Sequence, residues 1–142
     1  YNIEYIEEPT KNSTDIQYLQ GMSIALDESL DLNSESIDYP QVSHIIIKPT
    51  VHGAIKGLNS WQKKKKDKEI ILSSTFETSL GLWHLGHIAA SVAKNNYHGL
   101  GTLPWFKHDI TQTPLVQQKD QLLLPKETPI LNHGYTKLEA FG

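Results

Sequence analysis

Residues 42–50 read VSHIIIKPT, and this stretch decides the fold class. Three consecutive isoleucines form a continuous apolar run, which is typical of a strand that is buried on both faces. A single lysine, Lys48, stands at the end of the run, and Pro49 follows it. Because proline cannot donate to a strand ladder, Pro49 indicates that the strand ends here. The sequence therefore predicts an ammonium group at the carboxyl end of a buried strand.

Four further segments read as short strands, and helical patterns separate some of them. Apolar positions recur at helical spacing over residues 54–66 and 78–94, whereas the first two connections allow only one or two turns. Strands that alternate with helices predict a parallel sheet with right-handed crossovers. The four segments are NIEYIEEP (2–9), SIALDES (23–29), EIILSSTF (69–76) and HGLGTLPW (98–105).

Each predicted strand carries a polar or glycine-rich stretch at its carboxyl end. The steps from one stretch to the next are 20, 21, 25 and, counted from Ser74, 25 residues, which is one strand–helix unit each time. We therefore expect these residues to lie at the same height on neighbouring strands. In a β/α barrel the catalytic residues lie at that end. The stretches begin at Glu7, Asp27, Lys48, Ser73 with Ser74, and Gly99.

Composition limits the function classes. The 142 residues are 38% hydrophobic and 20% charged, which is enough for one globular domain with a core. A net charge of −3 gives no reason to expect nucleic acid or an anionic membrane as a partner. The absence of cysteine excludes disulfides and thiol nucleophiles. Without a long apolar run or a signal peptide, a cytoplasmic protein is expected, and the start at Tyr1 suggests a fragment or processed chain.

Five motifs resemble consecutive strand ends of the enolase superfamily, and most of all its o-succinylbenzoate synthase branch in menaquinone biosynthesis. The resemblance covers about residues 1–110 and implies an α/β fold made of strands four to eight of a (β/α)7β barrel. Residues 111–142 would be a C-terminal tail that packs on the barrel or on a capping domain outside this chain. The motifs are YIEEPT (5–10), IALDESL (24–30), HIIIKPT (44–50), ILSSTFETSLGL (71–82) and GLGT (99–102).

The resemblance also implies roles for individual residues. Glu7 and Asp27 would be two ligands of one Mg²⁺, for which Mn²⁺ is an alternative, and Lys48 would be the catalytic lysine of the sixth strand. The third metal ligand, the general base and the capping domain would lie upstream, in strands one to three and the N-terminal region of a longer chain. Substrate contacts are expected from Ser73, Ser74, Thr75 and Gly99.

The implied reaction is the dehydration of a cyclohexadiene carboxylate to o-succinylbenzoate, by syn β-elimination through an enediolate. A hard cation held by oxygen ligands can stabilise that charge, and the ammonium of Lys48 would lie over the developing ring. Two alternatives stay open. One is an N-succinylamino-acid racemase, in which Lys48 would be a second base, and the other is a half-barrel without catalytic activity. A dipeptide epimerase is disfavoured because residues 99–106 read GLGTLPWF where that group usually carries an acidic clamp.

Other charged residues receive structural interpretations. Glu8 and Glu28 each neighbour a predicted ligand, and strand alternation predicts that they point to the opposite face. We expect a supporting role for both, and for Glu77 behind the Ser-Ser segment. His84 and His87 lie three residues apart on a predicted helix, which is weak evidence for a metal site without a third ligand.

Two further features are interpreted without a function. The run Lys63–Lys66 ends an amphipathic helix, where cations suit the helix dipole, and a solvated helix end is expected. Three aromatic residues are expected in the core or at its rim rather than as substrate platforms. They are Tyr5, Trp83 and Trp105.

Overall fold

A computed structural model of the chain describes residues 3–32, 34–64, 67–92 and 95–132. The chain divides into two compact units between Ser73 and Ser74. In the first unit the strands are β1 (Ile6–Glu7), β2 (Ile24–Leu26), β3 (Val42–Ile47) and β4 (Glu69–Leu72). Its helices are α1 (Ser29–Leu32), α2 (Pro49–His52) and α3 (Ala54–Lys64), with 3-10 helices at Ser13–Tyr18 and Ser34–Asp38. The second unit contains α4 (Ser79–Val92), a 3-10 turn (Leu103–Trp105), β5 (Val116–Gln118) and β6 (Gln121–Leu123).

The four strands of the first unit form a parallel sheet in the order β1-β2-β3-β4, so the predicted α/β class is confirmed. Each strand pairs with the next one along the chain. Right-handed crossovers between neighbours that advance in one direction place all connecting helices on the same side of the sheet. The connections accordingly contribute fully buried apolar side chains, which are Ile16, Ile37 and Leu58.

Both faces of the sheet are apolar, as the isoleucine run predicts. Ile45 and Ile47 of β3 are completely buried on one face, and Ile46, also buried, points to the other. On that second face Ile46 packs with Ala25 and Ile71, and Tyr5 covers the cluster. The sheet thus has a helix-covered face and an inner face with its own small apolar layer.

The predicted fifth strand, residues 98–105, is not a strand. The carbonyl of Gly99 accepts a hydrogen bond of 2.9 Å from the backbone N–H of Ser74, but the chain then turns into the 3-10 helix. Pro104 lies in that helix and has no N–H to donate to a ladder. Glycine also weakens a strand interior, so the two glycines at 99 and 101 favour the turn.

The two long predicted helices are present with shifted ends. Helix α3 ends at Lys64 and α4 at Val92, while residues 65–66 and 93–94 of the predicted segments lie outside the described residues. Leu58 in α3 is buried as predicted, and the buried positions of α4 include Leu82, Leu85 and Ala89. Every helix in the described parts of the chain is too short or too polar to span a bilayer.

The second unit includes most of the segment that the sequence treats as a tail. Strands β5 and β6 form an antiparallel hairpin, and Thr111 bridges to Leu131; residues 133–142 lie outside the described residues. The hairpin packs against α4 so closely that a Cβ on Gly86 would lie 2.7 Å from the methyl carbons of Leu124. Helix α4 and the hairpin thus lie in the same compact unit, and the expected boundary at residue 110 stays a prediction.

Asp109 joins the start of α4 to the loop that follows it. Its Oδ2 accepts a hydrogen bond of 2.9 Å from the N–H of Ser79, and its Oδ1 accepts bonds of 2.9 and 2.8 Å from the N–H and hydroxyl of Thr111. The hydroxyl of Ser79 accepts a further bond from the N–H of Leu115. Burial opposes ionisation of Asp109, but the hydrogen bonds from Ser79 and Thr111 outweigh it and lower its pKa. The carboxylate therefore replaces a conventional N-cap side chain.

We expect Asp109→Asn to lower the free energy of unfolding by about 1 kcal/mol, the usual cost of losing a helix cap. An amide can accept on one side only, so one of the two sets of donors is left without its acceptor. Urea unfolding followed by circular dichroism measures the change. Asp120→Asn is the control, because it removes the same charge at the exposed hairpin turn without removing a helix cap. It should change the free energy of unfolding little.

The pH dependence gives a second measurement of the same interaction. Since folding lowers the pKa of Asp109, its contribution is present above the ordinary aspartate value of about 4 and is lost as pH falls through the lower folded value. The stability difference between the parent and Asp109→Asn should therefore be full at pH 7 and shrink below about pH 4. A difference that stays constant down to pH 2 would contradict this assignment.

Candidate functional site

The register of the sheet decides which side chains share a face. Glu7 pairs with Ala25, and Ala25 pairs with His44. Asp27 lies two residues beyond Ala25, and Lys48 lies four residues beyond His44. Side chains alternate along a strand, so these even offsets place Glu7 on the same face as Asp27 and Lys48, which lie one residue past β2 and β3. The contact of Lys48 with Asp27 shows that the alternation extends to these two residues.

The expectation that these residues lie at equal heights is wrong. Asp27 is two residues further along the sheet than Glu7, and Lys48 is two further than Asp27, while Ser73 is level with Lys48. Neighbouring strands of β/α barrels are staggered in this way in general, because closure requires a shear between neighbours. A β-bulge between the pairings of Ile24 and Ala25 with β3 adds to the offset. Spacing along the chain measures the length of a connection and carries no information on register.

The candidate site stands on the inner apolar layer. Side chains two residues before Asp27, Lys48 and Ser73 are Ala25, Ile46 and Ile71, which form the buried cluster described above. The stem of Lys48 therefore rises from an apolar floor, and its side chain is only 21% exposed. This arrangement accounts for a lysine at the end of the most hydrophobic strand.

Lys48 and Asp27 form a tight ion pair. The Nζ of Lys48 lies 2.5 Å from Oδ2 of Asp27, which is buried, and 3.5 Å from Oε1 of Glu28, which is largely exposed. Burial acts to lower the pKa of Lys48, but the hydrogen bond and charge of Asp27, followed by those of Glu28, raise it above its ordinary value. Lys48 is therefore an ammonium cation at neutral pH.

Glu7 completes the acidic side of the cluster. Partial burial raises the pKa of Glu7, the charges of Asp27 and Glu28 raise it further, and Lys48 opposes them. Three carboxylates face one ammonium, so the cluster carries an excess of negative charge. A cation bound among these carboxylates would relieve their repulsion.

The strand–helix junction holds the backbone of Lys48. Pro49 begins α2, and the residue before a proline is restricted to extended conformations, as Lys48 is. The N–H of Lys48 donates to Nδ1 of His52 at 2.9 Å, and the N–H of His52 donates to the carbonyl of Lys48 at 2.8 Å. The sequence reading missed His52, although its spacing four residues after Lys48 is that of one helical turn.

Glu8 supports the end of the next strand. Its Oε1 accepts hydrogen bonds from the N–H groups of Asp27 (2.7 Å) and Ser29 (2.8 Å), and its Oε2 accepts one from the hydroxyl of Ser29 (2.8 Å). These contacts give Glu8 the supporting role that we expect. The prediction that Glu28 points away from the site is wrong, because β2 ends at Leu26 and strand alternation does not extend to Glu28.

Ser73 and Ser74 follow β4 in extended structure. The N–H of Ser73 donates to the carbonyl of Ile47 at 3.0 Å and so continues the sheet at the level of Lys48. The hydroxyl of Ser74 is buried, with the carbonyl of Gly99 at 3.0 Å and the hydroxyl of Thr102 at 2.9 Å. The predicted contacts of Ser73, Ser74 and Gly99 with a substrate stay predictions.

Thr75 begins a strained turn. Its N–H and hydroxyl donate to the carboxylate of Glu77 at 2.6 and 2.7 Å, which is the supporting role expected for Glu77. Between them Phe76 has a φ of 63° and is 63% exposed. A bulky side chain rarely adopts this left-handed conformation, so the hydrogen bonds of Thr75 to Glu77 hold the turn. A substrate contact by Thr75 stays a prediction.

The donor set fits part of a magnesium site. Carboxylate oxygens are the ligands that Mg²⁺ prefers, and Glu7 and Asp27 supply them beside an excess of negative charge. Among the described residues no group of three or more histidine, cysteine, aspartate or glutamate side chains is arranged to hold a metal ion. The ring of His87 contacts the ring of Trp83 in a tilted arrangement, with centroids 4.2 Å apart, and its Nδ1 lies 2.8 Å from the Trp83 carbonyl oxygen.

The other aromatic residues differ in their surroundings. Tyr5 packs on the inner apolar layer, and Nε1 of Trp83 donates to the carbonyl of Pro125 at 2.9 Å. Trp105 is 78% exposed. For the lysine run, Lys63 is exposed, while Lys65 and Lys66 lie outside the described residues.

Curated proteins named o-succinylbenzoate synthase match the chain. The protein from Pasteurella multocida (strain Pm70) is 30% identical over 139 residues, which are 87% of this chain and 41% of that protein. The protein from Pectobacterium atrosepticum is 32% identical over 131 residues, covering 87% of this chain and 38% of that protein. The chain thus spans about two-fifths of the length of the curated relatives it matches. No protein-family model matches it.

Two solved structures have the same fold. The crystal structure of MenC from Desulfotalea psychrophila LSv54 aligns with a TM-score of 0.70 at 23% identity, over 84% of this chain and 37% of that one. An enolase from Pseudomonas fluorescens Pf0-1, solved with bound magnesium, potassium and tartrate, aligns with a TM-score of 0.73 at 17% identity, over 92% and 34%. The chain is therefore similar to part of the curated o-succinylbenzoate synthases and shares its fold with part of MenC and part of an enolase, in agreement with the resemblance of its strand-end motifs.

Proposed function

We propose that this chain supplies part of the active site of a Mg²⁺-dependent o-succinylbenzoate synthase. The observation that carries the proposal is the convergence of Glu7, Asp27 and Lys48, from three separate motifs, on one face at the carboxyl ends of β1, β2 and β3. In a β/α barrel that end carries the active site. The similarity to curated o-succinylbenzoate synthases supports the choice of reaction.

In this proposal Glu7 and Asp27 hold the metal, and further ligands come from residues outside the 142. Mg²⁺, when bound, supplies the positive charge that stabilises an enediolate formed from the substrate carboxylate. Lys48 contributes a permanent cation on the same face, since Asp27 and Glu28 keep it protonated. Its apolar floor restricts water around the ammonium, which strengthens its field at a bound substrate.

The rest of the proposal concerns the whole protein. The described strands β1–β4 would be strands four to seven of a (β/α)7β barrel, with the general base and a third carboxylate ligand on strands outside this chain. The substrate is a cyclohexadiene carboxylate, and the site converts it to o-succinylbenzoate by dehydration. The coverage of about two-fifths of each relative supports the view that other residues complete the site.

An assay of the complete protein tests this function. Purified protein is incubated with the cyclohexadiene carboxylate and Mg²⁺, and formation of the aromatic product is followed by absorbance. A parallel assay with an N-succinyl amino acid measures racemisation. Dehydration that requires Mg²⁺ is expected; racemisation without dehydration would overturn the proposal.

Lys48→Ala should lower turnover by about 10²–10⁴-fold, the range for a positioned catalytic group. Magnesium binding should not weaken, because Lys48 competes with the cation for Asp27 rather than helping to hold it. Turnover and calorimetric Mg²⁺ titration of the same variant measure both effects. Lys56→Ala, exposed on α3, removes the same side chain away from the site and should leave both unchanged. Normal turnover of Lys48→Ala would show that Lys48 is not a catalytic residue.

Glu7→Gln and Asp27→Asn should each weaken Mg²⁺ binding, with partial recovery of turnover at raised Mg²⁺. A neutral amide replaces a charged oxygen donor in each variant, and a hard cation prefers the charged one. Calorimetry gives the affinities. Glu4→Gln removes the same charge from an exposed position three residues earlier and serves as the control. A variant that binds Mg²⁺ as tightly as the parent identifies a residue that is not a ligand.

A further inference from the structure

The backbone at Glu8 is strained, and the strain is maintained by specific contacts. Glu8 has a φ of 39°, a left-handed conformation that residues other than glycine, asparagine and aspartate rarely adopt. Its N–H donates to the carbonyl of Ala25 at 3.1 Å, which continues the pairing of β1 with β2. Such strain persists where the surrounding structure imposes it, and it is concentrated at functional sites.

The side chain of Glu8 gives a reason for a residue other than glycine. One carboxylate oxygen accepts from the N–H groups of both Asp27 and Ser29, and the other accepts from the Ser29 hydroxyl. The N–H groups at the start of a helix have no partner within it, and Ser29 is the first residue of α1. Asp27 and Ser29 are both buried, so loss of Glu8 would leave buried donors without this acceptor.

The same contacts orient the two acidic side chains that face Lys48. Because Oε1 of Glu8 binds the backbone on both sides of Glu28, the peptide curves around this oxygen. The side chains of Asp27 and Glu28 are then directed to the Nζ of Lys48, at 2.5 and 3.5 Å. The contacts of Glu8 with the backbone of Asp27 and Ser29 thus act on the site through the turn.

We infer that Glu8 is a positioning residue, which holds the Asp27–Ser29 turn so that the Asp27 carboxylate is presented for metal binding. The inference rests on the proposed function, because it takes Asp27 as a Mg²⁺ ligand. Partners that orient a metal ligand typically change metal affinity by about 10–100-fold when they are removed. The two glutamates of the YIEEPT motif thus have different roles. Glu7 lies in the site, and Glu8 holds the turn that carries Asp27.

Three variants of the complete protein test the inference. Glu8→Ala removes all three hydrogen bonds and should weaken Mg²⁺ binding by about tenfold or more. Glu8→Gln keeps a carbonyl oxygen for the N–H groups of Asp27 and Ser29, and its NH₂ can donate to the Ser29 hydroxyl. It should therefore bind Mg²⁺ within about threefold of the parent, since the neutral amide preserves the contacts. Ser29→Ala removes one bond and should lie between the two.

Two measurements are made on each variant, namely calorimetric Mg²⁺ affinity and the amide exchange rates of Asp27 and Ser29 without metal. In Glu8→Ala we expect faster exchange at both amides together with weaker Mg²⁺ binding. In Glu8→Gln we expect the exchange rates and the Mg²⁺ affinity to return towards those of the parent. Faster exchange with unchanged Mg²⁺ affinity would overturn the inference, because the turn would then be structural only. Should Glu8→Ala fail to fold, Ser29→Ala and Glu8→Gln give the same comparison. A Ser29→Ala protein that binds Mg²⁺ as tightly as the parent would then overturn the inference.

The outcome for the parent separates this inference from the proposed function. A parent protein that binds no Mg²⁺ overturns the proposed function and removes the ligand that Glu8 would position. A parent that binds Mg²⁺, with Glu8→Gln as weak as Glu8→Ala, overturns only the positioning role, because charge rather than the hydrogen bonds would then matter.

Discussion

The two-residue period of side chains along a strand is the constraint on which the site depends. Register offsets between neighbouring strands are even from Glu7 to Asp27 and from Asp27 to Lys48, so three charged groups share one face. A single-residue slip would turn one of them into the helix-covered core, where an unpaired charge is very costly. The apolar layer of Ala25 and Ile46 beneath the site follows the same register, because these side chains lie two residues before Asp27 and Lys48.

The ion pair of Lys48 with Asp27 is better understood as part of a site than as a stabilising element. A buried or partly buried pair gains little net stability, since desolvation of both charges offsets their attraction. Here the acidic side chains outnumber the ammonium, and the pKa of Glu7 is raised by burial and by its acidic neighbours. An arrangement that concentrates repulsion in this way is unfavourable for folding alone, and a bound cation would relieve it.

Supporting contacts on both sides of the pair come from Glu8, as expected, and from His52, which the sequence did not reveal. Glu8 binds the turn that carries Asp27, and His52 binds the backbone of Lys48 at the start of α2. In the second unit Asp109 has a comparable task, since it holds the start of α4 to the following loop. In each case a polar side chain satisfies backbone N–H groups at the end of an element, where no regular partner exists.

The sequence by itself determined the α/β class, the order of the four parallel strands and the residues that end them. These features follow from local properties, because a run of isoleucines, a terminal proline and helical spacing are all readable along the chain. It also suggested the superfamily, through motifs such as YIEEPT, and the similarity to known o-succinylbenzoate synthases confirms that resemblance. Strand alternation failed only at Glu28, where the strand had already ended.

Tertiary structure alone decided the stagger of the strands, the contacts of the hydroxyl groups and the secondary structure of residues 98–132. Register depends on packing between strands, and a connection of given length is compatible with several registers. The left-handed backbone of Glu8 and its bonds to Asp27 and Ser29 depend on residues 19 and 21 positions apart in the chain. The hairpin β5–β6 likewise forms where Leu124 meets Gly86, 38 residues earlier. Such contacts join segments whose proximity no local pattern encodes, because it arises only when the chain closes its loops around a shared core.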